Sequence, residues 1–527
     1  MQQLSELDAS FLYLETDRTP MHIGGLYIFD ASDREDDFSF AEFLEYIESR
    51  LHVAKFFRKR LVEVPLKLDH PYWVDDPEFD INKHVYNIRL ADCTTEKPLT
   101  DLAADLLSVP LKRDRPLWEI TFVDGLNNVT TLPSKSFAMI VKVHHSAIDP
   151  LSGEDVMGVM LDFSPSPKKI KSIPEWRPQP LPSTFKLLGG AYTNALSTPF
   201  RLASMAKDTA AATFYSVLLQ RLSNLNFPPS LFSAPRTQIN QQISSKRSLS
   251  YKEVSLSRVK SIKRKIGREV FINDIVCGIC AEAVRNYLLD INGLPETSLI
   301  AMSPISVRSK SLHSPTGNQM AAMMISLATD EPNPAWRVIR IHENAVVSKT
   351  YSQAISAQRL TQLIPSTMTG LATRIYTEFQ LAQRHKPIFN LPLTNIPGPQ
   401  TPLYLNGCKL IKQVGTSPLF DGLGLSFVII SYNDTLTFSI TSCPDTVEDA
   451  GKFATYIEQA INDIEEAAEN IQGMELPAYT PKKLESPSLI ELGSAIIEDI
   501  VSLFQNIFTQ SKEEEDKKRL QHDKKES

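Results

Sequence analysis

An apolar row that ends in two histidines constrains the fold of this chain more than any other stretch. Residues 137, 139, 141 and 143 are Phe, Met, Val and Val, which is the period of a half-buried β-strand. The row runs into His144 and His145. Because neighbouring side chains on a strand point to opposite faces, the two imidazoles cannot both enter one cavity if the strand persists to its end. We therefore expect one histidine to be reactive and the other structural.

A histidine at a strand end above a cleft is suited to general-base catalysis, because its ordinary pKa lets it take and return a proton near neutral pH. From the residues alone, a core histidine that donates to a backbone carbonyl explains the pattern equally well. We assign His144 to the structural class. No other histidine lies at helical or hairpin ligand spacing from the pair, so we expect no metal site.

The length of 527 residues predicts two domains with appendages, because one hydrophobic core rarely covers so long a chain. Six prolines between residues 163 and 183 mark a linker. We predict an N-terminal lobe over 1–163 with the histidines, a Pro-rich linker and helical crossover over 164–232, a C-terminal lobe over 233–475, and a tail over 476–527.

Charge and cysteine content limit the partners and the compartment. Lys and Arg total 55 against 62 Asp and Glu, a net charge of −7, so nucleic acid is not an expected partner. Five scattered cysteines favour a reducing compartment over a disulfide framework. The sequence shows neither a secretory signal nor a run of 18 apolar residues. We expect a cytoplasmic protein.

Two amphipathic segments are candidates for membrane contact. Residues 184–226 combine an apolar helical face with four cations against Asp208, a composition typical of helices on anionic membranes. A crossover hairpin packed on the protein, with solvated cations, is slightly preferred as its main role. Residues 489–508 carry an apolar stripe and an acidic polar side, so docking on protein and shallow insertion both remain open. Beyond Ser511 the charge runs predict disorder.

The second half of the chain contains four further informative stretches. Residues 257–267 predict a basic helix that a glycine ends, and residues 271–288 predict a core helix with Asn273 near its N-cap. Asn390–Pro399, with the sequence NLPLTNIPGP, predicts a loop of fixed conformation between a helix and a strand. Leu425–Ser431 and Thr435–Thr441 predict a hairpin that turns at residues 432–434.

Several of these stretches together resemble one family. LDASFLYLET, TPMHIGGL, RPLWEITFVDGL, HHSAID, FINDIV and TNIPGP occur here in the order found in the bacterial wax ester synthase/diacylglycerol acyltransferases, over roughly residues 4 to 470. The resemblance implies an α/β fold of two chloramphenicol-acetyltransferase-like lobes with mixed sheets that meet over a central tunnel. It also implies an HHxxxDG motif at the midpoint and fatty acyl-CoA as co-substrate, with no cofactor.

The resemblance also implies roles for individual residues. His145 would be the general base that deprotonates a long-chain alcohol or diacylglycerol, in agreement with the strand argument, and Asp149 would form a structural ion pair. The triplet Pro116, Leu117 and Trp118 would line the alcohol or acyl pocket. Asn273 and Asp274 would shape the tunnel floor. We add Asn395 as a wall residue or oxyanion donor.

One position departs from the family pattern, because Pro150 follows Asp149 where the motif has glycine. Proline fixes φ near about −65° and lacks an N–H. We expect the loop to adopt a conformation that proline accepts, since Ser152 and Gly153 still supply a flexible start to a helix.

The leading hypothesis is an acyltransferase that makes wax esters, triacylglycerol or both and associates peripherally with the membrane or lipid droplets. A catalytically impaired lipid-binding or lipid-droplet homologue on the same scaffold is the alternative. A third possibility is an acyltransferase with a smaller or carrier-bound partner. The basic stretch 258–268 is a candidate for the CoA phosphates, although a solvated charged face explains it almost as well.

Overall fold

The computed structural model describes residues 1–91, 93–147, 156–167, 176–194, 233–267, 269–306, 320–354, 386–471 and 474. The chain forms two compact units, Met1–Ala478 and Tyr479–Ser527, and all described residues belong to the first. The predicted amphipathic helix over 489–508 and most of the segment 184–226 lie outside the described residues.

A six-stranded sheet holds the strand that ends in the histidines. Its strands, in spatial order, are β12 (Tyr404–Leu405), β13 (Cys408–Thr416), β2 (His22–Asp30), β7 (Ser136–His144), β6 (Trp118–Asp124) and β5 (Val85–Arg89). Only β5 and β6 run parallel. Strands β6 and β7 form an antiparallel pair, with Trp118 opposite Val143. Every residue of β7 is buried, so the strand lies inside the structure along its whole length.

A second six-stranded sheet is formed by residues of the second half of the chain. Its strands, in spatial order, are β10 (Met320–Ser326), β9 (Ile300–Ser306), β11 (Leu391–Pro397), β14 (Leu425–Tyr432), β15 (Thr435–Ser442) and β8 (Ser248–Ser255). β11 runs parallel to both of its neighbours, and the other pairs are antiparallel. Both large sheets are therefore mixed, which confirms the predicted α/β class.

The stretch Asn390–Pro399 corrects one prediction, because Leu391–Pro397 is the strand β11 rather than a loop. The strand pairs with β9 only at Leu391 and Pro392 and with β14 from Leu393 to Pro397. It changes partners along its length, so it tolerates prolines that a fully paired strand would exclude. Leu391 and Leu393 are completely buried, and their burial outweighs the turn preference of the prolines.

Strand β13 crosses between the two halves of the chain. It lies within the range predicted for the C-terminal lobe, yet it pairs with β2 from Lys409 opposite Asp30 to Thr416 opposite Gly24. The sheet that carries the histidines is therefore completed by residues from near the end of the first compact unit.

The helices cover the sheets and a small third sheet. That sheet has the order β1 (Gln2–Gln3), β4 (Tyr72–Asp75) and β3 (Lys59–Val62). The helices are α1 (Glu6–Leu14), α2 (Phe40–Arg50), α3 (Lys97–Ser108), α4 (Val156–Met160), α5 (residues 184–194), α6 (Leu256–Ile266), α7 (Ile272–Asp290), α8 (Pro334–Ala354) and α9 (Lys452–Asn470). Within the described ranges no helix is both long and apolar enough to cross a bilayer.

Local sequence signals in the second half of the chain correctly predict several of its helices and turns. Helix α6 ends at Gly267, whose φ of 68° is left-handed, as the glycine signal predicts. Helix α7 is the apolar core helix, and Cys277 in its centre is buried. The hairpin of β14 and β15 turns through Asn433 and Asp434, which have φ values of 46° and 63°, the conformation of a tight hairpin turn.

Candidate active site

The histidine pair stands where β7 ends and the chain turns. His144 is the last residue of the strand and lies opposite His22 on β2. His145 begins a short 3-10 turn, His145–Ala147, and its backbone N–H donates to the carbonyl oxygen of Met21 at 2.8 Å. The two side chains therefore occupy different environments, as strand parity predicts.

His144 is enclosed by polar partners. Its side chain is completely buried, and its Nδ1 lies 3.1 Å from the backbone nitrogen of Ser146, which donates to it, and 2.7 Å from the Ser146 hydroxyl. Because Nδ1 accepts, the ring proton belongs on Nε2, which lies 3.5 Å from Oε1 of Glu15, close enough for an electrostatic contact but without hydrogen-bond geometry. With Nδ1 bonded to Ser146 and Nε2 facing a carboxylate, this buried imidazole has the surroundings of a structural residue.

Glu15 connects His144 to the surrounding elements, and the sequence pattern did not single it out. Its Oε1 accepts from the backbone N–H of Met21 at 3.1 Å, and its Oε2 accepts from Nη2 of Arg113 at 2.8 Å. Burial alone would raise the pKa of this carboxyl, but the proximity and charge of His144, together with Arg113, lower it to about 2. Glu15 is therefore an anion at neutral pH, clamped between two loops and α1.

His145 lies against hydrocarbon instead. Its ring stacks on Phe11 of α1, with centroids 3.9 Å apart and planes 17° from parallel. Its Nδ1 is fully buried and has no hydrogen-bond partner on another described residue. Burial lowers the pKa of His145 to about 4, its own backbone opposes the shift, and the neighbouring His144 adds to it. The ring keeps partial exposure and is uncharged at neutral pH, as a proton acceptor must be.

The triplet Pro116, Leu117 and Trp118 lies directly beside this turn. The carbonyl oxygen of Leu117 accepts from the backbone N–H of His144 at 3.0 Å. Leu117 is buried in an apolar cluster with Leu12, and Ala147 packs against that cluster. Trp118 is also buried, and its indole N–H donates to the carbonyl oxygen of Phe57 at 2.9 Å. Pro116 is buried with them.

Asn273 and Asp274 form one cluster at the start of α7 with Asn395, which is more than a hundred residues away in the sequence. The side-chain nitrogen of Asn395 donates to Oδ1 of Asn273 at 2.9 Å. Asp274 accepts from the backbone N–H of Phe271 at 2.7 Å and lies 2.7 Å from Nδ1 of His342, a residue the sequence pattern did not single out. Within the described ranges, no hydrogen bond, ion pair or ring contact joins this cluster to the histidine pair.

Asp149 and Pro150 lie outside the described residues, so the predicted ion pair stays a prediction. Across the described ranges, no group of three or more His, Cys, Asp and Glu side chains is arranged to hold a metal ion.

A cavity of about 180 Å³ is lined by the apolar residues Leu12, Leu61, Val64 and Pro71 together with Tyr13, Glu63, Lys67, Asp69 and Arg113. Neither histidine lines it. Its lining mixes apolar and charged groups, whereas a pocket for a small molecule is lined predominantly by apolar side chains.

The fold matches that of condensation domains. The starter condensation domain of rhizomide synthetase superposes with a TM-score of 0.51 at 13% identity, over 92% of this chain and 96% of that chain. At this identity the likeness shows the fold alone.

The family models give a more specific assignment than the fold does. The model of the wax ester synthase/diacylglycerol acyltransferase catalytic domain matches residues 4–276, more than half of the chain, including both histidines. The model of the family's C-terminal domain matches residues 316–465. The chain therefore belongs to the wax ester synthase/diacylglycerol acyltransferase family.

Individual relatives agree with this placement. A Mycobacterium tuberculosis protein named "putative diacylglycerol O-acyltransferase" is 31% identical over 478 residues, which are 89% of this chain and 91% of the relative. The solved wax ester synthase/diacylglycerol acyltransferase of Marinobacter aquaeolei is 26% identical, with a TM-score of 0.62, and the match covers 89% of this chain and 100% of that one.

Proposed function

We propose that this protein is an O-acyltransferase that moves a long-chain acyl group from acyl-CoA to a fatty alcohol, to diacylglycerol, or to both, with His145 as the general base. The observation that carries the proposal is the contrast between the two imidazoles. His144 is completely buried, is hydrogen-bonded to Ser146 through Nδ1 and faces the Glu15 carboxylate through Nε2, whereas His145 is partly exposed, uncharged at neutral pH and free of side-chain hydrogen bonds within the described ranges. Membership of the family supplies the substrate class.

The chemistry assigned to His145 balances without a cofactor or a metal. The acceptor hydroxyl gives its proton to the imidazole while its oxygen attacks the thioester carbonyl of acyl-CoA. The tetrahedral intermediate collapses, the C–S bond breaks, and CoA leaves as a thiolate that recovers the proton from His145. Because Nδ1 is fully buried, we assign proton transfer to Nε2. No covalent acyl-enzyme forms, so no serine nucleophile is required.

His144 and Asp149 have supporting roles in this proposal, since His144 holds Glu15 and Asp149 carries the family's structural ion pair. We place Leu117 and Pro116 at the pocket wall next to the base, because the Leu117 carbonyl is bonded to the His144 backbone. Trp118 supports that wall from the core side, where Phe57 fixes its indole. Asn395 and Asn273, which are bonded to each other, shape the acceptor path from the second sheet together with Asp274.

Helix α6 offers the cations for the CoA phosphates. Its Arg258 and Lys265 are already engaged by carboxylates of α9, including Glu465 at 3.1 Å and 2.9 Å respectively. The role therefore falls to Lys260, Lys263 and Arg264 on the same helix.

Peripheral association with the inner membrane or lipid inclusions of the cytoplasm is supported by one exposed surface. Helix α5 buries Leu187 against the third sheet and turns Phe185 and Tyr192, which are 88% and 66% exposed, to solvent beside Lys186. Exposed aromatic residues next to lysine are typical of helices at a lipid interface.

The test is an assay of CoA release with palmitoyl-CoA against hexadecanol, diacylglycerol, short alcohols and a carrier-bound acceptor, in the parent and in His145→Ala. We expect turnover with the long-chain acceptors in the parent and a loss of at least about a hundredfold in the variant. Turnover that survives the substitution refutes His145 as base. A parent without activity, yet able to bind lipid, supports the impaired homologue, and activity confined to short or carrier-bound acceptors supports the third hypothesis.

A further inference from the structure

A general base is normally held in its working orientation by a hydrogen bond from a third group to its second ring nitrogen. His145 lacks that support within the described part of the chain, because no side chain there hydrogen-bonds either ring nitrogen and its Nδ1 is fully buried without a partner on another residue. Its backbone is fixed by the bond to Met21, and that bond does not orient the ring.

Phe11 is the group in contact with that ring. The two planes are 17° from parallel at a centroid distance of 3.9 Å, which is a full face-to-face contact rather than an edge contact. A stacked aromatic ring blocks one face of the imidazole, restricts its rotation and keeps water from that side. Phe11 lies on α1, and Glu15, which faces His144, is the residue that caps the C-terminal end of this helix, so α1 and its cap contact both histidines.

We infer that Phe11 is a positioning residue for the base: its stacked ring orients the imidazole of His145 and keeps it desolvated and unprotonated in the resting protein. This inference rests on the proposed function of His145. Two effects of the stack on protonation oppose each other, since an aromatic face attracts an imidazolium cation while the loss of water disfavours it. Burial is the largest cause of the lowered pKa of His145, and Phe11 covers one face of the buried ring.

The charged neighbours do not account for that state. Among the described residues, the ionisable groups around the turn are His144 on the same strand, Glu15 beyond the end of α1, and His22 on β2, with Arg113 behind Glu15. Of these only His144 affects the pKa of His145, and its effect is smaller than that of burial. Glu15 directs its carboxylate at His144, Met21 and Arg113 instead.

The chain provides a matched control. Phe79 stacks on His84 with centroids 5.4 Å apart and planes 17° from parallel, but that imidazole is also oriented by its Nδ1, 2.9 Å from the carbonyl oxygen of Trp118. Removal of an aromatic ring from this second Phe–His pair leaves a histidine that a hydrogen bond still holds. The same substitution at the two sites therefore separates the loss of positioning from a general loss of packing.

The experiment compares Phe11→Ala, Phe11→Tyr, Phe79→Ala and the parent in the palmitoyl-CoA assay between pH 4 and 8. For Phe11→Ala we expect kcat to fall about tenfold at neutral pH with little change in the acceptor KM, and the acid limb of the pH profile to rise by about one pH unit or more. Phe11→Tyr keeps the stack and restores the parental profile, and Phe79→Ala leaves it unchanged. A parental acid limb and kcat in Phe11→Ala overturn the inference while the proposed function stands.

A second measurement works without turnover. Histidine-labelled protein is titrated by NMR, and the His145 ring signal is assigned by its disappearance in His145→Gln. An upward shift of its titration midpoint in Phe11→Ala, absent in Phe79→Ala, upholds the inference even if the parent proves inactive and the proposed function fails. An unmoved midpoint overturns it.

Discussion

Replacement of Glu15 by glutamine tests how the histidine turn is held together. Glutamine is close in shape to glutamic acid, so it removes the negative charge and leaves the volume of the site almost unchanged. Its amide oxygen can still accept from Met21, but it no longer pairs with the guanidinium of Arg113 or faces the Nε2 proton of His144 as an anion. The substitution therefore isolates the electrostatic part of the clamp.

The size of the effect follows from the pKa of Glu15, which falls from 4.5 to about 2. At 1.36 kcal/mol for each pH unit, the folded protein stabilises the carboxylate by about 3 kcal/mol relative to the neutral acid. The side chain is only 6% exposed, so solvent screens little of this energy. A group with a lowered folded pKa contributes stability above its unfolded pKa and loses it as the pH falls through the folded value. The difference between parent and Glu15→Gln should therefore be about 3 kcal/mol at pH 7 and disappear between pH 4.5 and about 2.

The assay is urea denaturation of the full chain, followed by tryptophan fluorescence, at several pH values. Glu63→Gln is the matched control, because Glu63 is 52% exposed and lies 3.8 Å from Lys67 in an ordinary surface pair. We expect that variant to differ from the parent by less than about 1 kcal/mol at any pH. A stability of Glu15→Gln within that same range at pH 7, or a loss that does not shrink on acidification, would refute the electrostatic account.

Three further outcomes are expected. Burial lowers the pKa of His22 to about 3, so the unfolded chain binds a proton at this histidine at a higher pH than the folded protein does. The free energy of unfolding therefore falls as the pH drops from 6.5 towards 3. The thermal midpoint of His22→Gln should depend less on pH in that window. A Cβ on Gly24 would lie 1.9 Å from the carbonyl oxygen of Val141, so Gly24→Ala should cost more than about 3 kcal/mol or prevent folding, whereas Gly189→Ala, with open space around it, should be neutral or stabilising in thermal melts. Asp274→Asn should lower the free energy of unfolding by about 1 to 2 kcal/mol in urea titrations, because Asp274 pairs with His342. A smaller loss when the same substitution is made in a His342→Asn background would confirm that the two residues are coupled, and an equal loss would exclude it.

The parts of the fold with a local cause could be predicted. The apolar row from residue 137 predicted strand β7, because one buried face imposes a two-residue period. The glycine at 267 ended α6, and Asn433 with Asp434 formed the hairpin turn, because few residues adopt positive φ. Parity also assigned different environments to His144 and His145.

The parts of the fold that depend on contacts between distant residues could not be predicted from the sequence. The proline-rich stretch at Leu391–Pro397 became a strand because the second sheet buries Leu391 and Leu393, a fact that local turn preference cannot contain. The insertion of β13 next to β2 is a pairing across more than 370 residues with no sequence signal. Phe11 and Glu15 could have been suspected, since they are four residues apart, a spacing that places two side chains on one face of a helix. The sequence does not show which residues that face of the helix contacts.

The different surroundings of the two histidines therefore follow from the register of strands β2 and β7. Strand β2 pairs with β7 residue by residue from Asp30 opposite Ser136 to His22 opposite His144, without a bulge. A slip of one residue would turn every side chain of β7 to the other face and would exchange the two imidazoles. The ring of His145 would then face the Glu15 carboxylate, and the ring of His144 would take the apolar position against Phe11. Nine buried strand residues resist that slip, so the same pairs that build the core also decide which histidine faces the Glu15 carboxylate and which stacks on Phe11.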